Sequence, residues 1–218
     1  MTLIFDYDGT LHETLRIYGP ALRAGYSQYL AETNQFLPLP SDDEIKRFLG
    51  ATADEAWQEL TPGLPEADRQ RFSKTVSQAM DQALQDGIGR WYPGTEEVLA
   101  ELKEKGHRLV LLSNCRSEYL RINRHIFAMD RYFSAYYAAE DYGWASKSDI
   151  FQTIRQEQPG DRIIIGDRYH EMEIARNEGL ASIGCAYGYG TPEELSCATR
   201  IIQDIKQLPD ALSEILRP

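Results

Sequence analysis

The 218-residue sequence predicts an α/β fold of three layers, a parallel sheet between helices, interrupted near its start by an all-α block. Three observations predict it. Short β-prone runs alternate with helical patterns from Trp91 onward. Several of those runs, Arg108–Leu112 and Arg162–Ile165 among them, are nearly continuous in Val, Ile and Leu, as strands covered on both faces are. Between a first strand at Thr2–Phe5 and the remaining strands, about seventy residues lack such runs altogether.

The elements follow in order. Thr2–Phe5 is β-prone and ends in Asp-Tyr-Asp-Gly-Thr, a strand entering a tight loop. Leu15, Tyr18, Leu22, Tyr26, Tyr29 and Leu30 then recur at helical spacing, and a Leu-Pro-Leu-Pro-Ser break follows near residue 40. Ser41 with Glu44 has the spacing of a capping box for a helix holding Ile45, Phe48 and Leu49, which Gly50 stops. Helices are also expected at Ala53–Leu60 and Ala67–Leu84, and Asp86-Gly87-Ile88-Gly89 closes the block. Pro93 and Gly94 lead into a helix with Val98, Leu99 and Leu102 inward, ended at Gly106. The pattern then gives a strand at Arg108–Leu112, a helix from about Ser117, a strand at Ala135–Ala139 and a helix at Asp149–Gln156. Arg162–Ile165 is a strand, Glu171–Glu178 a helix, Ala181–Cys185 a strand and Pro192–Ala198 a short helix. A strand near Ile201 and a C-terminal helix complete the chain. The expected division is an α/β core of residues 1–13 and 89–218 with a helical insert at 14–88. An insert after the first strand leaves from the edge where open α/β sheets bind ligands, which is the position of a lid.

Charge narrows the partners. Lys and Arg total 23 and Asp and Glu 34, a formal charge of −11. Phosphates would repel such a surface, which argues against nucleic acid and anionic membranes as partners but leaves room for a small phosphorylated substrate. No stretch approaches the roughly 20 apolar residues of a membrane span. The first apolar run, Leu3–Phe5, is broken by Asp6 and Asp8, unlike the core of a signal peptide. Cys115, Cys185 and Cys197 are odd in number and widely spaced, which suits neither a disulfide framework nor zinc. A reducing, cytoplasmic compartment is expected, with the chain a monomer or homodimer.

Four polar clusters carry the chemistry. Asp6 and Asp8 stand two apart at the end of an apolar strand, a spacing that can hold a hard divalent cation or pair a nucleophile with a proton carrier; the same residues also suit a plain turn. Ser113-Asn114 ends another strand, before a helix whose first amides can hold a phosphate, although Ser117 and Glu118 would equally cap that helix. Lys147 precedes the helix begun by Ser148 and Asp149, and alone reads as a surface charge. Gly166-Asp167 ends the Ile163–Ile165 run, with Glu171 four residues later, a pattern suited to a metal or to a helix N-terminus. Together they are informative. All four lie at the carboxyl ends of strands or in the adjoining loops, whereas unrelated turns would scatter over both edges.

In this arrangement the sequence resembles the haloacid dehalogenase (HAD) superfamily, in its helical-cap, phosphoglycolate phosphatase-like subgroup. The motifs are Asp-x-Asp-Gly-Thr at Asp6–Thr10, then Ser113-Asn114, Lys147 and Gly166-Asp167, and the stretch Gly166–Gly179 resembles the family's fourth motif throughout. The resemblance implies a Rossmann-like, HAD-like core with residues 14–88 as cap, and a two-step phosphoryl transfer. Asp6 would attack phosphorus, and Asp8 would protonate the leaving alkoxide and then activate water. Mg²⁺ would be held by Asp6, the backbone carbonyl of Asp8, and Asp167, with Glu171 acting directly or through water. Gly9, Ser113, Asn114 and Lys147 would bind the phosphoryl oxygens. Two departures stand out: Glu171 where Asp is usual, and Ser148 where Pro often follows the lysine.

The resemblance also separates activities. Asp8, absent from the dehalogenases, favours phosphomonoester hydrolysis. A phosphonate-cleaving relative would need a cap lysine, and only Lys46 and Lys74 are present in that block. A β-phosphoglucomutase-like phosphotransferase keeps both aspartates and stays open, as does a catalytically silent interaction module. Phe48, Trp57, Arg90, Trp91 and Tyr92 are candidates to touch a leaving group, although Phe48 and Trp57 read more readily as packing within the helical block. The Tyr187-Gly188-Tyr189-Gly190-Thr191 loop resembles one in phosphoglycolate phosphatase-like members.

Overall fold

The computed structural model describes residues 1–50 and 53–217. The chain divides into two compact units, Thr14–Arg90 and Met1–Glu13 with Trp91–Pro218.

The first unit is helical: α1 (Leu15–Glu32), α2 (Asp42–Lys46), α3 (Ala53–Leu60) and α4 (Glu66–Gln85). Leu22, Tyr26, Ile45, Phe48, Trp57, Phe72 and Val76 form its core. The α1–α4 approach is close at Gly25, where a Cβ would stand 2.7 Å from Val76 Cγ2. Phe48 and Trp57 are buried in this core, so packing accounts for both. The Ser41–Glu44 capping box forms, but the helix it starts ends at Lys46, and Phe48 and Leu49 lie in the turn beyond.

The second unit holds strands β1 (Thr2–Phe5), β2 (Arg108–Ser113), β3 (Phe133–Ala138), β4 (Arg162–Gly166), β5 (Ala181–Cys185) and β6 (Arg200–Ile202). Its helices are α5 (Thr95–Glu104), α6 (Ser117–Ile126), α7 (Lys147–Glu157), α8 (Tyr169–Glu178), α9 (Pro192–Leu195) and α10 (Leu208–Ile215). The strands form one sheet in the order β3-β2-β1-β4-β5-β6, every pairing parallel. β1 is central, with Ile4 in register between Val110 and Ile164. These three side chains pack on Phe151 and Ile154 of α7 and Ile174 of α8. Leu3 and Phe5 alternate to the opposite face, where α5 contacts β2 and α10 contacts β5 and β6. Helices on both faces explain why the strands carry so few polar residues.

Local boundaries differ where side-chain contacts decide them. β3 begins at Phe133, two residues earlier than the pattern suggests, across a register irregularity opposite Leu109 and Val110. Ser146, rather than Ser148, caps α7 by accepting from the Asp149 amide at 3.1 Å, which draws Lys147 into the first turn. Glu171 accepts from the Arg168 amide at 3.3 Å, so α8 starts at Tyr169. Ser117 does not cap α6: Arg116 holds that position, and the Ser117 amide donates to Glu140 at 2.8 Å. No described helix is long and apolar enough to cross a membrane.

Candidate active site

Parallel pairing places Asp6, Ser113 and Asp167 at the carboxyl ends of β1, β2 and β4, on one edge of the sheet. The strand order reverses between β1 and β4, the crevice where such sheets accept ligands. A depression of about 820 Å³ lies at the opposite, amino edge, lined by Thr2, His107, Arg108 and Asp161, and contains none of these residues.

Asp6 extends the ladder by one bond, its amide donating to the Ile165 carbonyl at 2.9 Å. The chain then turns: the Tyr7 carbonyl accepts from the amides of Thr10, Leu11 and His12. Gly9 adopts φ +90° inside this turn, a conformation costly for any residue with a Cβ. A Cβ there would also meet the Asp167 carboxylate and the Tyr189 ring. The Gly9 amide donates to the His12 carbonyl at 3.0 Å, closing the turn.

Lys147 is the centre of charge. Its Nζ lies 2.5 Å from both Asp6 Oδ1 and Glu171 Oε1, and all three side chains are buried. Burial opposes its charge, but Asp6 and Glu171 outweigh that and hold the ammonium above its ordinary range. Burial likewise pushes the Asp6 carboxyl up, against the pull of Lys147. Asp167 is fully buried, and burial, then the neighbouring Asp6 charge, raise it well above the usual carboxylate range. Thr10 Oγ1 donates to its Oδ1 at 3.1 Å and the Tyr189 amide to its Oδ2 at 2.7 Å. The Tyr187 hydroxyl donates to the Thr10 carbonyl at 2.8 Å, so the loop after β5 braces the turn after β1.

Asp6, Asp167 and Glu171 each offer an oxygen within 4.8 Å of the others. Asp6 and Glu171 share the Lys147 ammonium, Asp167 accepts from Thr10 and the Tyr189 amide, and Asp6 Oδ2 is buried without a hydrogen-bond partner among the described residues. An oxygen-only donor set with surplus negative charge fits a hard divalent cation. Asp8 stands apart from that trio: its Oδ1 accepts from the Tyr119 hydroxyl at 2.9 Å. Ser113 is buried at the end of β2, with Asn114 next in the loop and partly exposed. Burial and the nearby Asp8 charge push the Cys115 thiol up to about 12, which removes it as a thiolate nucleophile.

Sequence reasoning missed Thr10, Tyr119 and His12. Thr10 lies inside the first motif, and its position there was the available signal. Tyr119 meets Asp8 only through tertiary packing, whereas His12 stands four residues along the same turn, its Nδ1 4.0 Å from Asp8 Oδ1.

The haloacid dehalogenase-like hydrolase family model matches residues 3–185. A 5'-nucleotidase of Pseudomonas aeruginosa is 28% identical over 200 residues, covering 88% of this chain and 86% of its own. A phosphoglycolate phosphatase of Vibrio parahaemolyticus is 22% identical, covering 98% of this chain and 93% of its own. Among solved structures, a predicted phosphatase from Clostridium acetobutylicum superposes with a TM-score of 0.82 at 22% identity, covering 98% of each chain. At that identity the likeness concerns the fold.

Proposed function

The chain belongs to the haloacid dehalogenase-like hydrolase family and is an enzyme of its phosphoric monoester hydrolase kind, and we propose that it hydrolyses a small-molecule phosphomonoester through an aspartyl-phosphate on Asp6, with Mg²⁺ as cofactor. The observation that carries this reading is the buried Lys147–Asp6–Glu171 constellation beside Asp167.

In the first step an Asp6 carboxylate oxygen attacks phosphorus, the bond from phosphorus to the ester oxygen breaks, and Asp8 gives that oxygen its proton. In the second, Asp8 takes a proton from water as the water oxygen attacks phosphorus, freeing inorganic phosphate and restoring Asp6. Lys147, Ser113 and Asn114 bind the phosphoryl oxygens, so an anionic group can approach two carboxylates. Asp6, Asp167 and the Asp8 carbonyl would hold Mg²⁺, with Glu171 beside them. Bound there, the ion would neutralise charge on the phosphoryl oxygens. Residues 14–88 are assigned as the cap domain of this reading.

The names of the two relatives, 5'-nucleotidase and phosphoglycolate phosphatase, both concern small phosphate esters and select the first substrates to try. The test is inorganic phosphate release from nucleotides, phosphoglycolate and sugar phosphates, with and without Mg²⁺. Release should need the cation and should vanish in Asp6→Asn. Equal turnover by Asp6→Asn would contradict the nucleophile.

A further inference from the structure

We propose that Tyr119 is a positioning residue for the acid–base step: its hydroxyl, backed by the His12 imidazole, holds the Asp8 carboxylate in one rotation about its Cβ–Cγ bond. The proposal rests on the reading of Asp8 as proton carrier.

Asp8 sits in a turn and its side chain is 17% exposed. A proton carrier in such a place needs an anchor, because transfer depends on the direction of one oxygen. Tyr119 supplies it from α6. The hydroxyl donates to Asp8 Oδ1 at 2.9 Å and lies 3.4 Å from His12 Nδ1. With the tyrosyl proton committed to Asp8, the Nδ1–H tautomer of His12 completes a chain from His12 through Tyr119 to Asp8. His12 is fully buried, and its Nδ1 faces the Tyr119 hydroxyl at 3.4 Å. It serves that hydroxyl as a donor.

The anchor is itself held. The His12 ring stacks on Tyr7, with centroids 5.3 Å apart and planes at 6°, and Tyr7 meets Tyr119 edge-on at 6.3 Å. The Tyr7 hydroxyl donates to Asn123 Oδ1 at 2.7 Å, and Asn123 Nδ2 returns to the Tyr119 carbonyl at 2.8 Å. Tyr119 and Asn123 are one helical turn apart on α6, so a single helix face grips the turn that carries Asp8. Tyr119 gains and loses no proton in the reaction. It sets where the Asp8 proton points when the ester oxygen departs.

The experiment compares kcat/KM of Tyr119→Phe and wild type on p-nitrophenyl phosphate and on whichever of adenosine 5'-monophosphate and phosphoglycolate is cleaved faster. The nitrophenolate leaves without a proton, whereas the alkoxide requires one, and kcat/KM isolates this first step. Tyr119→Phe should lose about tenfold on the alkyl ester, as expected of a misaligned catalytic group, and no more than about twofold on the aryl ester. Adding Tyr119→Phe to Asp8→Asn should cost nothing further on the alkyl ester. His12→Phe keeps the ring stack without the donor and should show the same selectivity at about threefold, which also serves if Tyr119→Phe fails to fold. Equal losses on both esters, or none on either, would overturn the positioning role alone. A wild-type enzyme that cleaves neither the alkyl phosphates nor p-nitrophenyl phosphate would overturn the phosphomonoesterase reading as well.

Discussion

Lys147 Nζ lies 2.5 Å from Asp6 Oδ1, with both side chains 3% exposed. Water cannot screen charges so placed, and each depends on the other. Lys147→Met should therefore act on stability as well as turnover. It leaves Asp6 and Glu171 buried without their cation, a loss of about 3–5 kcal/mol in urea unfolding. Phosphate release should fall by at least about 100-fold. An unfolding midpoint equal to wild type would contradict the pairing.

The loop after β5 should govern affinity for the cation. At Gly188 a Cβ would stand 2.5 Å from the Gly9 carbonyl oxygen and would press on the Asp167 carboxylate. Gly188→Ala should raise the Mg²⁺ concentration for half-maximal turnover by about tenfold, as other displaced supports of metal ligands do. Titrating chelator-treated enzyme with Mg²⁺ measures this. An unchanged Mg²⁺ requirement would show that Asp167 is not the residue disturbed.

Acid should weaken the fold through His12. Its imidazole lies at about 3 against an ordinary 6.5, so the unfolded chain takes up a proton that the folded one refuses. Stability from this group is complete above pH 6.5 and declines as pH falls toward 3. Between pH 7 and pH 5 the loss is about 2 kcal/mol, from 1.36 kcal/mol per pH unit. Guanidinium unfolding at both pH values should show wild type losing that much more than His12→Phe. Parallel losses would mean that His12 is charged in the folded protein.

The helical unit relies on ring packing. Phe72 lies 5.6 Å from Trp57 and 5.7 Å from Tyr29, centroid to centroid. Phe72→Ala should cost that unit about 3–5 kcal/mol and open it to limited proteolysis before the sheet unit is cut. Cleavage at the wild-type rate would argue against this core.

The fold class was legible because burial on both faces of a parallel sheet writes itself as apolar runs such as Ile163–Ile165. The Ser41–Glu44 cap was legible for a similar reason, since all its partners lie within one turn. Serines flank Lys147 on both sides, and either suits a cap, so the pattern alone could not choose Ser146. The site residues stood out at strand ends, but their partnerships did not. The Tyr119–Asp8 bond spans 111 positions, and the bond from Thr10 to Asp167 spans 157. No local periodicity encodes such contacts; they exist only after the sheet has aligned its strand ends.

In the proposed mechanism phosphorus passes through Asp6. Acid quenching during turnover of a phosphomonoester, followed by peptide mass spectrometry, tests it most directly. One phosphoryl group is expected on the peptide containing Asp6, on Asp6 itself, and none in Asp6→Asn. Sustained phosphate release by Asp6→Asn, with no phosphorylated peptide in either protein, would contradict it.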